Sequence, residues 1–278
     1  MEPFLNGSIF LQSKKMKKIF LIIFLTTFVS VVKAQKYKLN YKLIYSPDTT
    51  DIKKTKNELF TLFIVDSLSR FVSNKKLLKD SIAFKAKFDK KLALELLTNQ
   101  EKIPKSDFKF DIFKIDNSQI LVYEDIFFDK YLYEEKIEEF NNWKIKQETL
   151  IIKGIECQKA TLNYGGRVYE AWFTDIIPIK NGPYKFSGLP GLIMKIQDTN
   201  KEYVFDLVSI KYYKRNILIP NKEDVKTVSK IDFFKASKNR LKNIKQKVKH
   251  KIILSDDIKS YLSNRYKSFN NPIELITN

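Results

Sequence analysis

Few side chains in this sequence have a type and a setting suited to chemistry. His250 is the only histidine and Cys157 the only cysteine. A nucleophilic triad needs a histidine that is oriented and partly buried, whereas lysines flank His250. A zinc site needs several histidine or cysteine ligands, and the sequence contains neither a Gly-Lys-Ser/Thr phosphate loop nor a dinucleotide-binding glycine fingerprint. The sequence therefore predicts no catalytic residue, no metal ligand and no cofactor.

Adjacent carboxylates are the remaining groups with chemical potential. Glu134 and Glu135 are followed closely by Glu138 and Glu139. Paired carboxylates can hydrolyse glycosides or bind a hard cation. Neighbouring acids are more often solvated charges, and we interpret these as part of the surface.

The glycines concentrate special backbone geometry in one window. Six of the seven glycines lie within residues 154–191, and glycine permits backbone angles that other residues avoid. Successive backbone N–H groups in such a window could form an anion site beside Arg167 and Lys185. The alternative, which we favour, is a compact loop that reverses the chain and packs Leu189 and Leu192 beneath aromatic rings.

The same window carries a family resemblance. Residues 188–193 read Gly-Leu-Pro-Gly-Leu-Ile, and residues 157–160, 166–174, 177–179 and 182–186 also resemble segments of the GLPGLI family in the same order. The resemblance implies a shared fold and an exported bacterial protein without an established activity. It implies a motif of unknown role at Gly182, Pro183, Gly188, Leu189, Pro190, Gly191, Leu192 and Ile193, with Arg167, Glu170, Trp172 and Lys185 as neighbours.

The amino terminus has the pattern of a secretory signal. Lysines precede an apolar run over residues 19–32, and the run ends in Val-Lys-Ala at Ala34. The run is short for a membrane span of about 20 residues. We predict translation from Met16 and cleavage after Ala34, so that residues 1–34 are an extension and signal peptide and residues 35–278 form one domain.

The elements that must position the glycine window are mostly strands. Period-two alternation of apolar residues is typical of a half-buried strand. It predicts strands over residues 36–45, 58–65, 69–72, 108–115, 119–128, 130–135, 143–152, 155–164, 167–174, 192–197 and 203–213. Helical spacing of Leu78, Ile82, Leu92 and Leu96 predicts an amphipathic helix over 75–100, either continuous or interrupted. A basic helix is predicted over 229–250. The expected fold is mainly β (α+β), an antiparallel meander forming a curved open sheet or partial barrel with an inserted helix and a basic C-terminal helix.

The net charge of +19 narrows the classes of partner. Only five of the 51 basic residues are arginine, and bidentate phosphate and base recognition favour arginine. Together with the predicted export, this argues against a nucleic-acid partner.

Three functional hypotheses follow. The first is an exported cell-envelope protein that binds an apolar ligand, a peptide or a membrane-protein partner without catalysis. The second is an enzyme that uses Arg167, Glu170 and Lys185 around residues 182–193. The third is peripheral contact with an anionic membrane surface through the lysine-rich helix. The sequence does not determine the oligomeric state.

Overall fold

A computed structural model describes residues 36–116, 118–126, 129–140, 142–238 and 270–275. The predicted signal peptide lies outside these residues, as does the part of the predicted basic helix that follows residue 238. Within the described ranges, none of the helices combines the length and the apolar character needed to cross a bilayer.

Twelve strands form one open sheet, which confirms the predicted β-rich fold. The strands are β1 (Lys36–Tyr45), β2 (Lys56–Val65), β3 (Leu68–Ser73), β4 (Phe110–Ile115), β5 (Gln119–Ile126), β6 (Asp129–Lys136), β7 (Lys144–Ile152), β8 (Ile155–Tyr164), β9 (Arg167–Thr174), β10 (Leu192–Asp198), β11 (Tyr203–Tyr212) and β12 (Lys226–Thr227). The helices are α1 (Asn74–Ala86), α2 (Lys90–Thr98) and α3 (Lys230–Lys238).

Alternation places one face of each long strand in the core. In β1, Leu39, Tyr41 and Leu43 are fully buried, because successive side chains of a strand point to opposite faces. The predicted hairpin turn between β8 and β9 is confirmed at Gly165 and Gly166, which have φ values of 57° and 75°. Such two-residue turns match the twist of the flanking strands and favour glycine.

The predicted helix after β3 exists in the interrupted form, as α1 and α2. Asp89 interrupts it and caps α2, since its Oδ1 accepts a hydrogen bond of 3.0 Å from the backbone N–H of Leu92. The predicted apolar face is only partly buried: Ile82, Leu92 and Leu96 are half-buried, and none of the described residues of α1 or α2 is fully buried. Leu78, one of the residues assigned to that face, is 54% exposed. These helices therefore do not build the core.

The order of the strands requires the sheet to curl. That order is β12-β6-β5-β4-β3-β2-β1-β11-β10-β9-β8-β7, so β6 and β7 are ten strand spacings apart, about 48 Å in a flat sheet. The chain from Lys136 to Lys144 joins them and spans at most about 28 Å. The sheet must therefore bend until its two sides approach each other, although it does not close.

The concave face of the curled sheet is filled by aromatic side chains and by the loop of residues 175–191, called here the motif loop. Phe186 of this loop is fully buried. Its ring centroid lies 4.6 Å from that of Tyr169, 5.9 Å from that of Tyr164 and 6.0 Å from that of Phe140. The favoured prediction assigned the packing of the loop to Leu189 and Leu192; both are buried, and Phe186, which was not predicted, makes these ring contacts.

Two glycines of the motif have identifiable backbone roles. Gly188 has φ = 88°, a conformation that L side chains rarely adopt. A β-carbon at Gly191 would lie 1.9 Å from the carbonyl oxygen of Thr174, which no rotamer can relieve. Leu189, Leu192 and Ile193 are buried, whereas Pro190 is exposed. The motif is thus a turn that brings β10 against the end of β9.

We predict that Gly191→Ala lowers the free energy of unfolding by about 3 kcal/mol or more, because the backbone of β9 must move to admit the methyl group. Gly154→Ala is the matched control: Gly154 also has a positive φ of 80°, but its β-carbon would meet nothing within 4 Å. That variant should lose about 1 kcal/mol. Urea denaturation of both variants measures the difference, and equal losses would contradict the role assigned to Gly191.

Candidate functional site

Four charged side chains meet inside the curled sheet and are called here the ion cluster: Glu135, Lys185, Lys230 and Glu274. Lys185 Nζ contacts Glu135 Oε1 and lies 2.5 Å from Glu274 Oε1. Lys230 Nζ lies 2.7 Å from Glu135 Oε2 and 3.0 Å from Glu274 Oε2. Each carboxylate is therefore shared by both lysines, and the cluster has no net charge.

The cluster is buried, apart from part of Lys230. The side chain of Lys185 is 0% exposed, those of Glu135 and Glu274 are 2% and 4% exposed, and that of Lys230 is 28% exposed. Taking unpaired charges out of water costs several kcal/mol per ion. Because every charge of the cluster has an opposite partner, the free-energy cost of burying it is largely offset. Loss of any one of the four elements that carry these residues would leave a buried charge without its partner.

Tyrosine hydroxyls complete the cluster. Tyr184 Oη donates a hydrogen bond of 2.5 Å to Glu274 Oε1. Tyr164 Oη lies 2.9 Å from Glu135 Oε2 and 3.1 Å from Glu274 Oε1, while Lys185 Nζ donates to Tyr133 Oη at 3.0 Å. Tyr184 also has φ = 54°, a strained conformation of the kind that collects at functional sites.

Mutual attraction keeps the buried groups charged. Burial by itself lowers the pKa of Lys185, but the charges of Glu274 and Glu135 outweigh this and leave the pKa raised. Burial raises the pKa of Glu274, but Lys185 and Lys230 outweigh it and lower that pKa to about 2. Neither group titrates near neutral pH, where a general acid or base must exchange its proton.

A second buried lysine fixes the motif loop. Lys114 Nζ donates to Asn181 Oδ1 at 2.8 Å and to the carbonyl oxygens of Gly182 and Phe186 at 3.0 and 2.7 Å. Burial lowers the pKa of Lys114 well below its usual value. Its three oxygen partners all belong to the loop, so this contact from β4 sets the position of the segment that carries Tyr184 and Lys185.

Arg167 anchors residues 270–275, called here the C-terminal segment. Its Nη2 donates to Asn271 Oδ1 at 2.5 Å and to the carbonyl oxygen of Pro272 at 3.0 Å. Its Nη1 lies 3.2 Å from Asp198 Oδ2 and 2.6 Å from Glu202 Oε2. Arg167 therefore holds the segment that delivers Glu274 to the ion cluster.

The sequence-predicted site residues do not all meet. Arg167 and Lys185 face the interior, whereas Glu170 and Trp172 alternate to the outer face of β9. There Lys159 lies 3.0 Å from Glu170 and its Nζ is 5.7 Å from the centre of the Trp172 ring. Arg167, Glu170 and Lys185 thus do not form one site around the motif loop.

The ion cluster itself was not predicted from the sequence. The interpretation of Glu135 as a surface charge was wrong, since its side chain is buried. One signal could have revealed it: period two in β6 puts Glu135 on the face of the buried Tyr133. Lys230 and Glu274 follow no such alternation, and their meeting depends on contacts between residues far apart in the chain.

An aromatic cleft lies next to the ion cluster. It has a volume of about 530 Å³, and α3 and the C-terminal segment form parts of its wall. Its aromatic lining consists of Phe108, Phe110, Tyr133, Tyr184, Phe233 and Phe234. Glu274 also faces it, so the cleft meets the cluster at this carboxylate. Among the described residues, no group of three or more His, Cys, Asp or Glu side chains is placed to hold a metal ion.

Comparisons with known proteins give a fold but no activity. A family model described as "Protein of unknown function (Porph_ging)" matches residues 165–195, a short stretch that contains the glycine motif. No curated protein sequence matches the chain. Solved structures of PNGF-II in the P21 and C2 space groups are similar over 74% of this chain, with 14% sequence identity and a TM-score of 0.51. The similarity covers 34% and 33% of those chains, so this chain spans about a third of their length.

The lowered pKa of Glu274 predicts acid sensitivity. A carboxyl group whose pKa is lower in the folded state stabilises it above the unfolded value of 4.5, and this contribution is lost as the pH falls towards 2. We expect the difference in free energy of unfolding between the native protein and Glu274→Gln to shrink by up to about 3 kcal/mol between pH 5 and 2. Denaturant titrations at several pH values measure this, and a constant difference would contradict it.

Proposed function

We propose that this is an exported cell-envelope protein that binds an apolar ligand, without catalysis, in the aromatic cleft. One observation carries the proposal: six aromatic side chains line a cleft of about 530 Å³ beside a fully paired ion cluster. Ligand sites commonly have volumes of about 300–1,000 Å³ and mostly apolar walls with few polar groups. The cleft has the size of such a site, and nine of the sixteen described residues that line it are aromatic or aliphatic. The polar lining residues are Asp107, Lys109, Glu124, Ser237, Lys238, Asn270 and Glu274.

The state of the charged groups favours binding over catalysis. Lys185 and Glu274 are each engaged by opposite charges at hydrogen-bond distance, and their pKa values move away from neutrality. Groups held in this way cannot exchange protons readily at neutral pH. In this proposal the ion cluster has a structural role at one side of the cleft, and apolar contacts with the aromatic side chains supply the binding free energy.

We expect Phe234→Ser to weaken binding of the neutral probe N-phenyl-1-naphthylamine about tenfold, because part of the apolar contact area is lost. Phe234 lines the cleft and is partly exposed, so it is less needed for folding than the buried Phe233. Phe88→Ser is the control, since Phe88 is 79% exposed and does not line the cleft. Fluorescence titration gives the Kd values. Unchanged affinity in Phe234→Ser, or an equal loss in Phe88→Ser, would argue against the cleft as the site.

Export and membership in the GLPGLI family are parts of the same proposal. The lysines and the apolar run that precede Ala34 support export, and the stretch matched by the family model contains residues 188–193. We expect protein isolated from the cell envelope to begin at Gln35, as measured by mass spectrometry of its amino-terminal peptide. Protein that keeps residues 19–32 and stays in the cytoplasm would contradict export.

A further inference from the structure

The carboxylate of Glu274 is bound as a ligand would be. Oε1 lies 2.5 Å from Lys185 Nζ, 2.5 Å from Tyr184 Oη and 3.1 Å from Tyr164 Oη, and Oε2 lies 3.0 Å from Lys230 Nζ. Charged donors make stronger hydrogen bonds than neutral ones. Two ammonium groups and two hydroxyl groups, all from elements other than the C-terminal segment, therefore converge on one carboxylate.

The donors are held in place by other contacts as well. Lys185 also contacts Glu135 and Tyr133, and Lys230 Nζ lies 2.7 Å from Glu135 Oε2. Without Glu274, two lysines would face one glutamate, which leaves an excess of one positive charge in a buried setting. Such a site favours a monoanion, because an unpaired buried charge is costly.

Side chains of other elements also donate hydrogen bonds to the backbone of the C-terminal segment. The carbonyl oxygen of Asn271 accepts a hydrogen bond from Tyr203, that of Pro272 accepts one from Arg167, and that of Ile273 accepts one of 2.9 Å from Tyr169. The segment does not form a strand of the sheet. Contacts from other elements thus hold both its backbone and the side chain of Glu274, as a receptor holds a bound peptide.

We propose that Lys185, Lys230, Tyr164 and Tyr184 form a carboxylate-binding site whose resident occupant is Glu274 of the protein's own C-terminal segment. The site accepts a carboxylate that reaches it without the covalent connection. Because Glu274 faces the aromatic cleft, small carboxylates have a route to the donors. The inference is independent of what the cleft itself binds.

Chemical rescue of the full-length Glu274→Ala variant tests the site. The variant should lose about 10 °C in Tm. Sodium formate or acetate at ten times its Kd should restore about 4 °C of this loss. Sodium chloride at equal ionic strength accounts for general salt effects.

The controls are the native protein and Glu170→Ala, which removes a carboxylate from the outer face of the sheet. Formate should stabilise neither beyond the effect of sodium chloride. If Glu274→Ala does not fold in buffer, circular dichroism during refolding with formate replaces the Tm measurement, and recovered structure supports the site. Failure of formate and acetate to stabilise or refold the variant, or equal stabilisation of the controls, would overturn the proposal.

Discussion

Burial of two lysines and two glutamates is the interaction on which the rest of this structure depends. A charge removed from water destabilises a fold unless an opposite charge and hydrogen bonds replace the lost hydration. Here the charges come from β6, the motif loop, α3 and the C-terminal segment, which are distant in sequence. None of these elements can leave without exposing an unpaired charge in the interior. The cluster therefore joins the middle of the described chain to its end.

The curl of the sheet makes this meeting sterically feasible. The short link between β6 and β7 brings together strands that the sheet order separates, and the aromatic side chains fill the concave space. The motif loop enters that space because Gly188 adopts a positive φ and Gly191 lies where a side chain would clash with Thr174. Lys114 then fixes the loop so that Tyr184 and Lys185 point to the cluster. The role of the glycine motif is thus to position Tyr184 and Lys185 at the ion cluster.

Local patterns predicted most of the strands, because alternation in long strands such as β1, β8 and β9 reflects which face each residue occupies. Local patterns failed where contacts between distant parts of the chain decide the position of a residue. The two-residue β12 is too short to carry a pattern, and its pairing with β6 is parallel. The helical spacing of Leu78 suggested a buried face, but none of the described residues of α1 is fully buried. Adjacent acids at Glu134 and Glu135 looked alike, yet the strand sends one to solvent and the other inward.

The sequence by itself determined the β-rich class, the places of the turns and the special backbone of residues 188–191, because these follow from interactions between near neighbours. It also limited the chemistry, since it supplies one histidine and one cysteine. Tertiary structure alone decided that Glu135, Lys185, Lys230 and Glu274 meet, and that Glu170 does not join them. The physical reason is that charge pairing depends on distance in space, and the curled sheet brings together residues that no local pattern relates.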